Sequence, residues 1–594
     1  MLKTLTLVSF LFPVAVFAQS AHISISANNI AYGLNTDGRM FNNADGLAPG
    51  FEAPAGSGIY AIYSAGLFFG GRAPDQSLVS SSQGYCDGSC VFGPGPLTAD
   101  GSLQSTPEVQ QAFNRFWTIT EAQVTNHDLY FDCVYDPQCD PTIAFPGGYI
   151  MPPDFITWPA EGDTDQGFAQ YLAPFVDSNN DGIYNPDLGD HPRICGDLAI
   201  YSVMNDNPAQ GQARAGIELH TMTYTYNSTD AALFNTVFVN QRIVNRSNLT
   251  YSDAYLGVWN DFDLGNYTDD YAGTDVSRSM VYAYNGDDFD SPFGGSAGYM
   301  DDLGVVGMRL LGGAFADANQ TDDAMLAEGY TAYGNQTSGW GDGVADNERL
   351  GLAYSMSRYN TGSGFPFATD DPQTVVGQYF ALTGLWADGS SQVYEGIGYN
   401  PNMFPFTPSK YAYPGDSDPL LQGTFGTDPD YPLAGGWTES NANNAPGDPK
   451  MIASSGPFTF APGDTQHLDY AYIFARESHQ PGVDVLETMR SYADDIVGKE
   501  CSALSLVVTG TRQLKNDNAY LRLYPNPASD QVTIETAISA GRFSVMDRMG
   551  RLVLQGNMTT SRTALDLQGL ADGIYLLQVE GEGRMAVRKL VVSH

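Results

Sequence analysis

Apolar and polar positions alternate with a period of two along much of this chain, the signature of β-strands. Residues 217–227 (IELHTMTYTYN) alternate cleanly and predict one strand, 233–245 (LFNTVFVNQRIVN) a second and 252–263 a third. Residues 455–476 (SGPFTFAPGDTQHLDYAYIFAR) predict a hairpin, with Ala461-Pro462-Gly463-Asp464 as its turn. The period changes to that of a helix at Val483–Val497, where apolar residues recur at 483, 486, 489, 493 and 496–497. A second helix is predicted after Pro107, through Val109, Phe113 and Phe116. The 65 Gly and 34 Pro cut the remainder into short strands, turns and long loops. The pattern predicts a mainly β, multi-domain body of β-sandwich type with few helices.

The pattern fades between Lys499 and Tyr520 (TGTRQLKNDNA) and then resumes. The stretches 531–535, 542–546, 551–555, 563–567, 574–580 and 584–592 each alternate or form a short apolar run between Gly, Asn or Asp turns. That is the layout of a small immunoglobulin-like β-sandwich. Pro525 and Pro527 hold its entry extended. The organisation expected is therefore 1–18 as a signal peptide, 19–210 as a β-rich region, 211–500 as a sandwich-like body ending in a helix, 501–520 as a linker, and 521–594 as a terminal domain.

At the other end, Lys3 precedes a short apolar run from Leu5 to Phe17, and Val16 and Ala18 are small residues at positions −3 and −1 of a cleavage site before Gln19. The run is shorter than the roughly 20 residues a bilayer requires. Charge divides along the same boundaries. The whole chain carries −41, yet residues 521–594 balance 8 Lys and Arg against 7 Asp and Glu. A surface this acidic repels phosphate backbones, which excludes nucleic acid as a partner, and favours divalent cations.

Six cysteines, Cys86, Cys90, Cys133, Cys139, Cys195 and Cys501, form an even set suited to disulfides in an exported chain. Close spacing favours Cys86–Cys90 and Cys133–Cys139 and leaves Cys195–Cys501, although fifteen connectivities are possible. Zinc is disfavoured by the absence of a CxxC pair or HxxxH spacing.

The strongest chemical constellation is Asp177-Ser-Asn179-Asn-Asp181-Gly182-Ile183-Tyr-Asn-Pro-Asp187. A D-x-N-x-D-G run supplies hard oxygen ligands from alternate loop positions, with the Ile183 carbonyl where a backbone ligand of calcium is expected. The twelfth position is Leu188 rather than Glu, so Asp187 or Asp190 would close the shell. The alternative is a metal-free loop of Asx turns. Asp261, Asp263, Asp269, Asp270 and Asp275 form a second acidic cluster, and Asp342, Asp346 and Glu348 a third; either suits calcium or paired-carboxylate hydrolysis.

No catalytic residue is assigned. Gly294-Gly-Ser296-Ala-Gly298 matches G-x-S-x-G but lacks the strand before and helix after it that build a nucleophile elbow. His191 and His220 have no partner evident from spacing. Trp117, Trp158, Trp259, Trp340, Trp386 and Trp437 would stack on sugars if exposed and are core if buried.

Two resemblances add to this reading. Tyr524-Pro525-Asn526-Pro527 with Asp530, Gly550-Arg551, Leu567, Leu570, Gly573-Ile574-Tyr575 and Lys589 closely resemble the type A C-terminal sorting domain of the type IX secretion system. The resemblance implies periplasmic transit, translocation across the outer membrane, removal of the domain by a sorting peptidase, and release or attachment to a surface glycolipid. The body resembles a group of uncharacterised large exported bacterial proteins through GLFFGG (66–71), FNRFWTIT (113–120), the acidic block at 173–197, DFDLGNYTDDYAGTD (261–275) and SSGPFTFAPGDTQ (454–466). That likeness implies architecture and export and carries no mechanism. The function expected is a calcium-supported binding or structural module outside the cell, contacting a glycan or protein; a secreted hydrolase of polysaccharide or protein is the alternative.

Overall fold

The computed structural model describes residues 20–594 except 87–89, 207–213, 325–329, 332–333, 336, 361–363, 395, 402–406, 419–435, 479–481, 502–506, 510–520, 537–540, 547–551, 572 and 582–583. The expected signal peptide, most of the expected linker and Gly550-Arg551 lie outside the described residues. The chain divides into two units, Met1–Phe175 with Pro192–Leu506, and Val176–His191 with Val507–His594. The fold is mainly β, built from antiparallel sheets.

The first unit is a sandwich of two sheets. One runs His22–Ser26, Ala31–Asn35, Phe51–Glu52, Tyr60–Arg72, Tyr251–Phe262, Lys450–Phe460 and Tyr354–Arg358, with Leu78–Ser80 beside Tyr60–Arg72. The other runs Asp270–Asp275, Met280–Asn285, Gly304–Gly312, Thr465–Arg476, Thr236–Asn245, Ile217–Thr225, Leu198–Asn205 and Gly93–Pro94, with Trp117–Thr120 beside Leu198–Asn205. Tyr60–Arg72 pairs with Tyr251–Phe262 and Leu198–Asn205 with Ile217–Thr225, so strands from before and after residue 210 share both sheets and one core.

Alternation explains how the layers meet. Leu67, Phe69, Leu256 and Val258 of the first sheet and Leu219, Val239, Ile243, Leu468 and Tyr470 of the second fill a common core. Tyr472 packs edge-on to Phe41 at 4.6 Å and donates its hydroxyl hydrogen bond to Asn260 Oδ1 of the facing sheet at 2.8 Å. The predicted hairpin at 455–476 takes a different form: Lys450–Phe460 pairs in the first sheet and Thr465–Arg476 in the second. The turn at 461–464 therefore steps between layers. Both strands are apolar or buried on both faces, and such strands gain more as central members of separate sheets than as a two-stranded ribbon.

Helices cover the outer faces. Gly482–Asp495 falls where its period predicts and lies on Gly304–Gly312, where a Cβ on Gly307 would come within 2.9 Å of the Met489 sulfur. Val375–Leu382 covers the first sheet, and a Cβ on Gly257 would meet Leu382 at 2.5 Å. Pro107–Phe113 is capped by the Thr106 side chain. The helix Glu121–Tyr135 was not anticipated; its signal is the capping box of Thr120 and Gln123. Among the described residues no helix is long and apolar enough to cross a membrane.

In the second unit, the sheet Arg522–Tyr524, Gln531–Glu535, Arg562–Asp566 and the sheet Leu552–Met558, Gly541–Met546, Gly573–Gly581, Arg584–Val592 enclose Val532, Ile534, Phe543, Val545, Leu565, Leu577, Val579 and Leu590. This is the small sandwich expected from the pattern at 521–594.

Candidate functional site

The loop carrying Asp177, Asn179, Asp181, Ile183, Asp187 and Asp190 leaves the strand Phe175–Asp177 and ends at His191–Pro192. Asn180 and Gly182 adopt positive φ (60° and 78°), which bends it sharply. Asp177 and Asp190 point inward, with 1% and 0% of their surface exposed. Asp177 accepts from the Asp181 and Gly182 amides at 3.2 and 2.8 Å, and Asp190 from those of Ser178 and Asn185 at 2.7 and 2.8 Å. Asn179 Oδ1 accepts from the Asp181 amide at 3.1 Å, while its Nδ2 donates to Asp181 at 2.8 Å. Asp187 sits in the turn Pro186–Leu188, and the Ile183 side chain is exposed, leaving only its carbonyl as a possible ligand. Burial raises the Asp190 carboxyl, and Asp177 and Asp181 add to the rise.

A denser convergence lies on the first sheet. Asp261 and Lys450 face each other on adjacent antiparallel strands, so the period-two pleat puts Asp263 and Asp448 on the same face one step further along. Asp261, Asp263 and Asp448 offer carboxylate oxygens all within 4.8 Å of one another. Lys450 Nζ lies 3.1 Å from both Asp261 and Asp448. Tyr85 donates a very short hydrogen bond to Asp261, and its ring meets Trp259 edge-on at 4.9 Å. Trp259 in turn donates to Asp371 at 3.1 Å.

Burial pushes Asp261 up to about 6 against the pull of Lys450, with Asp448 reinforcing the rise. Asp263 is raised well above the carboxylate range by burial and then by Asp261 and Asp448. Burial opposes the charge on Lys450, but Asp261, Asp448 and Asp371 together hold its ammonium well above the usual range. One buried cation thus serves several carboxylates, an arrangement that attracts a second cation or holds a proton.

The remaining acidic side chains belong to separate local networks. Asp275 is bound by Arg278 and Arg490, Asp270 accepts from the Leu264 amide, and Asn266 donates to Asp269. Asp346 accepts from the Asn319 and Gln320 amides, Asp342 from Asn347, and Glu348 from the Asp323 amide. Ser296 lies in a tight turn with Phe293, not on a strand-to-helix elbow. Trp117, Trp158, Trp259, Trp386 and Trp437 are core residues, and Trp340 is half-buried. His220 is buried with Glu218 and Tyr201 as partners, a pairing that spacing did not suggest. The structure joins Cys86–Cys90, Cys133–Cys139 and Cys195–Cys501.

In the terminal domain the motif has a visible physical basis. Asn526 donates through Nδ2 to the Lys589 carbonyl and accepts through Oδ1 from the Val591 amide, both at 2.8 Å, tying the Tyr524-Pro525-Asn526-Pro527 turn to the last strand. The Tyr575 hydroxyl donates to the Ala571 carbonyl at 2.8 Å, closing the turn before Gly573. The Arg562 guanidinium covers the Tyr524 ring at 5.4 Å.

A search of curated proteins returns no match. Among the solved structures that align with parts of the chain are the following two. One, PorZ, is described as an essential bacterial surface component of the type IX secretion system of Porphyromonas gingivalis; it is 22% identical over 14% of this chain and 13% of that one, with a TM-score of 0.12. The other, a polysaccharide lyase, is 7% identical over 63% of this chain and 34% of that one, with a TM-score of 0.16. Neither likeness is close enough to carry an argument. The family model of the secretion system C-terminal sorting domain matches residues 522–593. The chain therefore carries a secretion-system C-terminal sorting domain of the type IX kind, which directs it to the cell surface or the extracellular space.

Proposed function

We propose that the body acts outside the cell as a calcium-stabilised binding or structural module, contacting an extracellular glycan or protein, after the sorting peptidase has removed the terminal domain. The observation that carries this reading is the sorting domain at 522–593 following a strongly acidic β-sandwich. Release into the medium and attachment to a surface glycolipid are its two end states. Calcium would sit at Asp177, Asn179, Asp181, the Ile183 carbonyl and Asp187 or Asp190, where burial of Asp177 and Asp190 already makes negative charge costly. Calcium that binds only the folded state adds about 2.7 kcal/mol at a hundredfold excess over Kd. Thermal unfolding of the exported protein in EDTA and in millimolar calcium is the test, with Asp181→Ala as control. A calcium-induced rise confined to the unsubstituted protein supports the loop site; equal rises in both proteins move the site to Asp261, Asp263 and Asp448, and no rise in either refutes calcium stabilisation.

A secreted hydrolase is the second reading. It is favoured by Asp261, whose carboxyl burial pushes up to about 6 beside Asp263. Turnover in a polysaccharide and protein substrate panel, abolished by Asp263→Asn without loss of folding, would establish it.

A further inference from the structure

We propose a buried site for a small monovalent anion, of halide to formate size, on the outer side of the nine-stranded sheet. Cross-strand register builds it. Val203, His220, Arg242 and His467 form one row across four neighbouring strands, and Tyr201, Met222, Asn240 and Asp469 form the next. These side chains point away from the sandwich core, because Leu219, Ile243 and Leu468 beside them point into it. Pro174, Tyr201, His220, Met222, Asn240, Arg242 and His467 line a small cavity of about 10 Å³ there, room for a single water-sized group.

The charges around this cavity do not cancel. Glu218 is taken by Arg246 at 2.7 Å and His220 at 2.8 Å. Asp469 is taken by Arg349 at 2.9 Å and by Asn240. Arg242 is 8% exposed, and among the described residues it has no carboxylate within ion-pair distance; its guanidinium donates to the Leu172 carbonyl at 2.6 Å. A buried cation without a counter-ion is strongly unfavourable.

The second observation is independent. His467, also 8% exposed, has a buried Nδ1 with no hydrogen-bond partner. Burial and the neighbouring guanidinium groups hold His467 well below the usual histidine range and His220 at about 3, so both rings are neutral and add no positive charge to that of Arg242. A neutral His467 protonated on Nδ1 donates to an anion that Arg242 attracts. The chain as a whole carries −41, so a general surface effect would repel anions rather than collect them.

The exported protein should melt higher in sodium chloride, bromide or formate than in gluconate of equal ionic strength, because gluconate is too large for the cavity. A rise with the halides alone identifies an inorganic ion, and a rise with formate as well identifies a site open to carboxylates. His467→Phe should weaken the midpoint anion concentration about tenfold while leaving the melting temperature in gluconate nearly unchanged. Arg242→Met should abolish the effect if it folds. Crystals grown in bromide should show an anomalous peak between Arg242 and His467. Equal melting in all four salts, or a bromide crystal with a water and no anomalous peak in the cavity, overturns the proposal.

Discussion

Replacing Lys450 with Met removes the cation between Asp261 and Asp448 and should unbalance the first sheet. The ammonium lies 3.1 Å from each carboxylate and its side chain is 1% exposed, so water cannot take its place without rearrangement. Removing one partner of a buried ion pair typically costs about 3–5 kcal/mol. A body of about 490 residues unfolds with an entropy near 1 kcal/mol/K, so that loss lowers the melting temperature by about 3–5 °C. The pH dependence gives a sharper test. Burial already pushes the Asp261 carboxyl up to about 6 against the pull of Lys450, so without Lys450 it rises further. An acid raised in the folded state contributes stability that is present below its unfolded value near 4 and lost as pH rises through the folded value. The deficit of Lys450→Met should therefore be largest at pH 8 and shrink toward pH 5, where Asp261 takes up a proton. The double variant Asp261→Asn/Lys450→Met should recover part of the loss at pH 8. Scanning calorimetry of the exported proteins between pH 5 and 8 reads all of this. A deficit below 1 °C at pH 8, or one that stays constant across the range, would refute the reasoning.

Other outcomes follow from single contacts. Glu439 is buried, accepts from the Ala272 amide at 2.6 Å and is pushed up to about 7 by burial. It should make the body on the order of 3 kcal/mol more stable below pH 4.5 than above pH 7, and Glu439→Gln should flatten that part of the pH profile. The Cys195–Cys501 disulfide closes a separation of 306 residues, and its loss in Cys195→Ser should cost on the order of 5 kcal/mol; an unchanged urea midpoint would contradict this. Asn526→Ala removes two hydrogen bonds holding the sorting turn, about 2 kcal/mol in a small domain, and should shift the protein from the surface fraction to the periplasm. Immunoblots of cell fractions matching those of the unsubstituted protein would count against that role.

Local signals were legible in the chain, and contacts between distant segments were not. Strands at 217–225, 236–245 and 251–262 and the helix at 482–495 follow directly from their periods. The terminal sandwich was readable because its strands, turns and motif residues lie within 522–593. The turn Ala461–Asp464 was readable too, but the layer each flanking strand joins depends on partners as distant as Tyr251–Phe262 and Gly304–Gly312. Asp448 and Lys450 carried no motif, since Asp261 reaches them only through strand register. The same holds for His220, Arg242 and His467, each unremarkable until three strand pairings align them.

That step between layers bears on when the body can fold. Lys450–Phe460 and Thr465–Arg476 are inner members of their sheets, and their neighbours arise some 90 to 240 positions earlier in the chain. Such high contact order makes assembly slow and defers it until nearly the whole body has been synthesised. A chain ending before residue 450 would lack a central strand in both sheets at once, leaving Tyr251–Phe262, Thr236–Asn245 and Gly304–Gly312 with open edges that favour aggregation.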